Sequence, residues 1–189
     1  MGMDDCDGVI WFDGEFVPWK DAKVHVLTHT LHYGMGVFEG IRAYKSSSGT
    51  AIFRLSEHID RLYASAHILN MKIPFNKTVV IDACLDAVKN NNLETAYIRP
   101  MCFYGSEGMG LRADNLKVHV MIAAWEWGAY LGEDNIKNGI RIRTSSFTRY
   151  HGHPSILPPR TYRDPIATSI RPSVVPFIDS RSAGICLGW

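Results

Sequence analysis

Two helical segments stand between two sets of strand-forming runs, and that order limits the fold more than any other feature. Val9-Ile10-Trp11-Phe12 and Glu15-Phe16-Val17 are rich in strand formers and flank Asp13-Gly14. An Asp-Gly pair between such runs predicts a type I′ hairpin, because both central residues need positive φ. Residues 50–54 read as a further strand. Ser56 is the expected cap of a helix whose first turn carries Glu57. Ile59, Leu62, Ala66 and Leu69 then recur at helical spacing through Asn70. A second helix is expected from about Thr78 to Lys89, with Val79, Ala83 and Ala87 on one face. It stops at Asn90-Asn91-Asn92, where a left-handed residue can end it. Strands are expected again over Ala96–Tyr104, Val118–Trp125 and Gly139–Phe147. Strands, two helices, then strands predict an α+β domain with the helices packed on a mainly antiparallel sheet.

The chain has 189 residues, enough for one large domain or a domain plus a tail. Its 20 basic and 19 acidic residues leave a net charge of +1, which gives no reason to expect a nucleic acid or an anionic membrane as partner. No run approaches the roughly 20 apolar residues of a membrane span. Met1 to Gly8 carries three Asp and no basic residue, unlike a signal peptide. The four cysteines, Cys6, Cys84, Cys102 and Cys186, show no CxxC spacing, so neither a zinc knuckle nor a redox pair is suggested. A cytoplasmic protein with reduced thiols is the expectation, with Cys84 and Cys102 as core fillers. Near Gly152 the character changes. Residues 152–189 hold six of the nine prolines, have no lysine and show no helical period, so irregular structure is expected there.

Several residues invite a chemical reading. Arg42, in Gly40-Ile41-Arg42-Ala43-Tyr44, needs an anion or carbonyl partner, or else is a surface strand arginine. Arg61, inside the first helix, either reaches past the helix edge toward a phosphate or pairs with Glu57 across one turn. Arg99 lies within an apolar strand, and Pro100 holds it extended and disturbs the ladder. A charge there wants a carboxylate, from a ligand or from a structural ion pair. His25, His29 and His32 lack the acidic neighbours of a metal site and read as core or hydrogen-bonding histidines. Gly34, Gly36 and Gly40 flank Phe38 without forming a dinucleotide fingerprint, and are better suited to letting backbone approach a flat ligand. Gly108-Met109-Gly110 and Trp127-Gly128-Ala129-Tyr130-Leu131-Gly132 offer two further loops, the second with aromatics that could line a pocket.

Taken together, these runs resemble the opening of the class IV aminotransferases, and within them the branched-chain type. The resemblance rests on Trp11-Phe12-Asp13-Gly14-Glu15, His29-Thr30-Leu31-His32-Tyr33-Gly34 and Val37-Phe38-Glu39-Gly40-Ile41-Arg42-Ala43-Tyr44. Glu57-His58-Ile59-Asp60-Arg61-Leu62, Tyr97-Ile98-Arg99-Pro100, Gly108-Met109-Gly110 and the Trp127–Gly132 run extend it in family order across residues 9–151. It implies a pyridoxal 5′-phosphate enzyme whose small domain is a two-layer α/β sandwich, residues 1–151. It implies that Arg61 binds the coenzyme phosphate, that Phe38 lines the substrate side-chain pocket, and that Tyr33, Arg42, Arg99 and Tyr130 surround the substrate. Arg99 would meet the distal carboxylate of glutamate, and Met109 and Gly110 would reach a neighbouring subunit's pocket. The implied partners are branched-chain amino acids, 2-oxoglutarate and glutamate, and a second copy in a homo-oligomer, with no metal.

The sequence departs from that pattern after Arg149. Counting from Tyr130 puts the family's Schiff-base lysine near position 160, where this chain has Arg160, and Pro165 replaces the tyrosine expected soon after. An arginine stays protonated and is a poor nucleophile. The expectation is therefore an inactive chain, with residues 152–189 as a shifted reading frame or an assembly error rather than a genuine alternative ending, and with the second, coenzyme-binding domain absent. Two other outcomes stand beside it: a different class IV enzyme, such as a D-amino acid aminotransferase or aminodeoxychorismate lyase, or a non-catalytic truncated domain.

Overall fold

The computed structural model describes Met3 and residues 6–47, 49–127 and 138–139. The chain opens with β1 (Val9–Phe12) and β2 (Glu15–Pro18), joined by the two-residue turn that Asp13-Gly14 predicts. Asp13 has φ 51° and Gly14 φ 108°, the double positive φ of a type I′ turn. A short helix, α1 (His29–Tyr33), ends on Gly34 at φ 68°. Strands β3 (Gly36–Phe38), β4 (Ile41–Ser46) and β5 (Gly49–Ile52) follow, then α2 (Leu55–Ile68), α3 (Lys77–Asn90), β6 (Ala96–Tyr104) and β7 (Val118–Trp125). The expected strand over Gly139–Phe147, and the tail 152–189, lie outside the described residues.

The sheet runs β2-β1-β7-β6-β4-β5, with β3 also on β6, and every pairing is antiparallel. β3 and β4 meet β6 in one register: Phe38 faces Met101, and Ile41 faces Ile98. They are one strand interrupted opposite Pro100. Glu39 donates its N–H to the Pro100 carbonyl at 2.9 Å, but proline has no N–H to return. The disturbance expected from Pro100 therefore falls on this side alone, while β6 stays in register with β7 across it.

Along β6 the side chains alternate. Ala96, Ile98, Pro100, Cys102 and Tyr104 are buried on the face that carries the helices. Tyr97, Arg99, Met101 and Phe103 point to the other face. α3 packs on β7, β1 and β6, and α2 packs on α3 and β3. This is the two-layer α+β arrangement the sequence predicts. The core gathers Ile41, Ile59, Leu62, Val80, Cys84, Ile98, Cys102 and Ile122, and burial pushes the Cys102 thiol up to about 12. A smaller cluster of Ile10, Trp19 and Ala123 sits on the helix-free face.

Three local expectations need correction. Ser56 does not cap α2; Arg54 does, at φ 48° and without a side-chain bond, so Ser56 lies in the first turn. Val79 is exposed on α3, and Val80, Cys84 and Val88 join Ala83 and Ala87 on the buried face instead. The strand read over 50–54 is Gly49–Ile52, ending before Arg54 turns left-handed. The α3 ends behave as chemistry suggests. Asn76 accepts the Val79 N–H at the start, and Asn92 is left-handed just beyond the end.

Candidate active site

The helix-free face of the central strands carries a half-buried arginine. Arg99 extends from β6 so that its guanidinium lies 4.6 Å from the centre of the Phe38 ring and 5.3 Å from that of Tyr97. Its Nη2 donates to the Tyr97 hydroxyl at 2.9 Å. Its Nε is buried with no hydrogen-bond partner. Two aromatic faces stabilise the cation, yet no carboxylate is bonded to it among the described residues. A buried donor left this way costs about 1–3 kcal/mol. That cost is relieved when an anion supplies the missing acceptor, so the arrangement suits a carboxylate ligand better than a structural ion pair.

β4 brings Arg42 to the same face, because Arg42 pairs directly with Tyr97, which in turn packs on Trp125 of β7 at 5.0 Å between ring centres. Phe38, Arg42 and Arg99 are thus drawn together, with Tyr97 and Trp125 beside them. Tyr130 and Arg160 lie outside the described residues.

The residue after Phe38 points the other way. Glu39 faces the helices and is fully buried. Its carboxylate accepts from Arg61 Nε at 2.6 Å and Nη2 at 2.7 Å, and from His58 Nδ1 at 2.9 Å. Arg61 therefore does not pair with Glu57, which bonds Arg54 instead at 2.9 Å. The hydrogen bonds that Arg61 donates to Glu39 raise its pKa against the opposing effect of burial. Arg61 keeps its Nη1 without a partner among the described residues and is partly exposed, so its outer edge can receive an anion such as a phosphate.

Tyr33, Met109 and Gly110 form a third group, joined by His29. That histidine is fully buried and stacks on Tyr33 at 4.5 Å. Its backbone N–H donates to Gly105 O at 2.8 Å, and its Nε2 donates to Gly110 O at 2.8 Å. His29, His32 and His25 all act as hydrogen-bonding residues, His32 through Val26 O and His25 through the Leu27 N–H. Among the described residues no group of three or more His, Cys, Asp or Glu could hold a metal ion. A groove of about 420 Å³ lies between β5 and α3, lined by Thr50, Ile52, Leu85 and Val88. It is on the helix side of the sheet and has no part in the Arg99 cluster.

Sequence reasoning quoted Glu39 and His58 only within motifs and gave neither a role. A signal was present. In Val37-Phe38-Glu39-Gly40-Ile41 the period of two puts Glu39 on the face of Val37 and Ile41, so the acid must be buried and must find a cation.

The sheet thus carries a half-buried arginine on its open face and a glutamate-held arginine on its helical side. Residues 36–163 match the family model of class IV amino-transferases, and the chain belongs to that family. Its relatives include the branched-chain-amino-acid aminotransferase of Pseudomonas aeruginosa, 68% identical over 151 residues, which are 80% of this chain and 49% of the relative. The Escherichia coli enzyme of the same name is 48% identical over 141 residues, 74% of this chain and 46% of the relative. Among solved structures, the Escherichia coli branched-chain amino acid aminotransferase superposes with a TM-score of 0.79 at 42% identity, covering 84% of this chain and 52% of that one. A thermophile branched-chain amino acid aminotransferase solved with pyridoxamine 5′-phosphate superposes with a TM-score of 0.76 at 40% identity, covering 84% and 51%. The chain spans about half the length of these relatives.

Proposed function

We propose that this chain supplies the small-domain half of a branched-chain amino acid aminotransferase, acting between leucine, isoleucine or valine and 2-oxoglutarate. The observation that carries this reading is Arg99, a half-buried guanidinium between Phe38 and Tyr97 whose buried Nε has no acceptor among the described residues. Such a group fits the distal carboxylate of 2-oxoglutarate or glutamate. Phe38 offers the same face an apolar ring suited to a branched side chain, and Arg42 and Tyr33 complete the surround, with Tyr130 joining them in the sequence pattern. Arg61, through its free Nη1, would hold the phosphate of pyridoxal 5′-phosphate. That coenzyme, when bound, draws electrons from the α-carbon of an amino acid so that its proton can leave.

This chain's own residues bind and orient; they lack the base for that proton. Near the position where the resemblance expects the family's lysine stands Arg160, which remains charged and cannot serve as an amine. We therefore read residues 1–151 as the aminotransferase part, and the 189-residue polypeptide as inactive. Met109, half-exposed on a loop pinned by His29, suits contact with a second copy in a homo-oligomer. Among the described residues no helix is long and apolar enough to cross a membrane, and a cytoplasmic setting fits the amino-acid chemistry.

The test is a fusion of residues 1–151 to the remaining C-terminal part of the Pseudomonas aeruginosa relative, loaded with pyridoxal 5′-phosphate. It is expected to form glutamate from leucine, isoleucine and valine, with the 189-residue chain giving none. Turnover by the 189-residue chain would contradict the inactivity, and a fusion that prefers D-alanine would move the reading to the D-amino acid aminotransferases.

A further inference from the structure

An arginine on a helix surface, partly exposed as Arg61 is, ordinarily rotates freely. Arg61 does not. The Glu39 carboxylate takes two parallel bonds from its Nε and Nη2 edge, a fork–fork geometry that fixes the plane of the guanidinium. Glu39 is itself fixed. It is fully buried, its backbone N–H is bonded to Pro100 O, and its second oxygen also accepts from His58 Nδ1. His58 stands one helical turn before Arg61 on α2 and is also buried. The grip therefore ties α2 to the break between β3 and β4, next to Phe38. It leaves Nη1 without a partner among the described residues, on a side chain that is partly exposed.

We propose that Glu39 is the positioning residue for Arg61, holding its guanidinium in the one orientation that presents Nη1 to a phosphoryl group. This rests on the reading of Arg61 as a phosphate-binding residue. Two effects of Glu39 oppose each other. Its negative charge partly cancels the attraction of Arg61 for an anion, while its fork removes the rotamer freedom that binding must otherwise freeze. The doubly bonded, fully buried geometry makes orientation the larger effect.

The experiment uses the 189-residue chain and inorganic phosphate, followed by the phosphate-dependent rise in melting temperature and by NMR of the arginine side chains. The wild-type chain is expected to bind phosphate and to show a slowly rotating Arg61 guanidinium. Glu39→Gln is expected to weaken phosphate binding roughly tenfold and to release that rotation. Arg61→Met is expected to abolish the binding. Phosphate affinity unchanged or improved in a folded Glu39→Gln chain overturns the proposal, because the carboxylate would then act only as a counter-charge. Absence of phosphate binding in the wild type overturns it too. Should Glu39→Gln not fold, a freely averaging Arg61 guanidinium in the wild type alone suffices to overturn it. Failure of the aminotransferase reading appears separately, as lack of turnover in the fused enzyme.

Discussion

Arg99 and Arg61 are both arginines against a buried surface, yet the fold treats them in opposite ways. Arg61 has a buried carboxylate of its own, while among the described residues Arg99 has only aromatic faces and one hydroxyl. A buried cation without a counter-ion is a cost to folding that a function must justify. Arg99→Met should therefore leave stability unchanged or raise it by about 1 kcal/mol, read from the urea midpoint. A loss of more than about 2 kcal/mol would mean that the guanidinium is structural. Arg99 was visible in the sequence as a charge within an apolar strand, and Arg61 as a helix residue that either reaches a phosphate or pairs with Glu57. The partner of Arg61 was not, because it is 22 residues away in sequence, and of the two rings beside Arg99 only Tyr97 is local, since Phe38 becomes a neighbour only once β3 lies on β6.

At the scale of elements, the β1–β2 hairpin depends on what Asp13 does after making its turn. Asp13 accepts from the Val120 N–H at 2.9 Å, from His119 Nδ1 at 2.7 Å and from Lys117 Nζ at 2.8 Å, which locks the turn onto β7. Burial alone would raise its pKa, but the bonds from Lys117, Val120 and His119 outweigh that and lower it from 3.8. A lowered folded pKa means that the stabilisation is complete above about pH 4 and is lost as pH falls through the folded value. Asp13→Asn should cost about 1 kcal/mol at pH 7, and the denaturation midpoints of variant and wild type should converge as pH falls below the lowered folded value. A constant gap between them would remove Asp13 from the acid response. At the other end of β1, Asn91 just past α3 accepts the Val9 N–H at 2.8 Å and donates to Val9 O at 2.9 Å. The hairpin, both long helices, β6 and β7 were legible because each has a strong local period or turn signal. The register shared by β3 and β4 was not, since it arises from proline's missing donor on a different strand. α1 was missed because five residues are too few for a period to show.

For the whole molecule, one sheet serves two faces: a packed core under the helices and an open face that gathers Phe38, Arg42, Arg99 and Tyr97. The alternation of β3, β4 and β6 makes this possible, because successive residues such as Phe38 and Glu39 can serve ligand and core separately. On the proposed reading, this open face receives an acid and orients it, with the proton-transferring amine expected from elsewhere in the family's architecture. The measurement that bears most directly on this is the KM for 2-oxoglutarate of the fused enzyme, compared with its Arg99→Met form. We expect the KM for 2-oxoglutarate to rise roughly tenfold or more, the loss of one charge-assisted bond, while the KM for leucine changes little. Equal KM values for 2-oxoglutarate in the two forms would contradict the assignment of Arg99 as the carboxylate receptor.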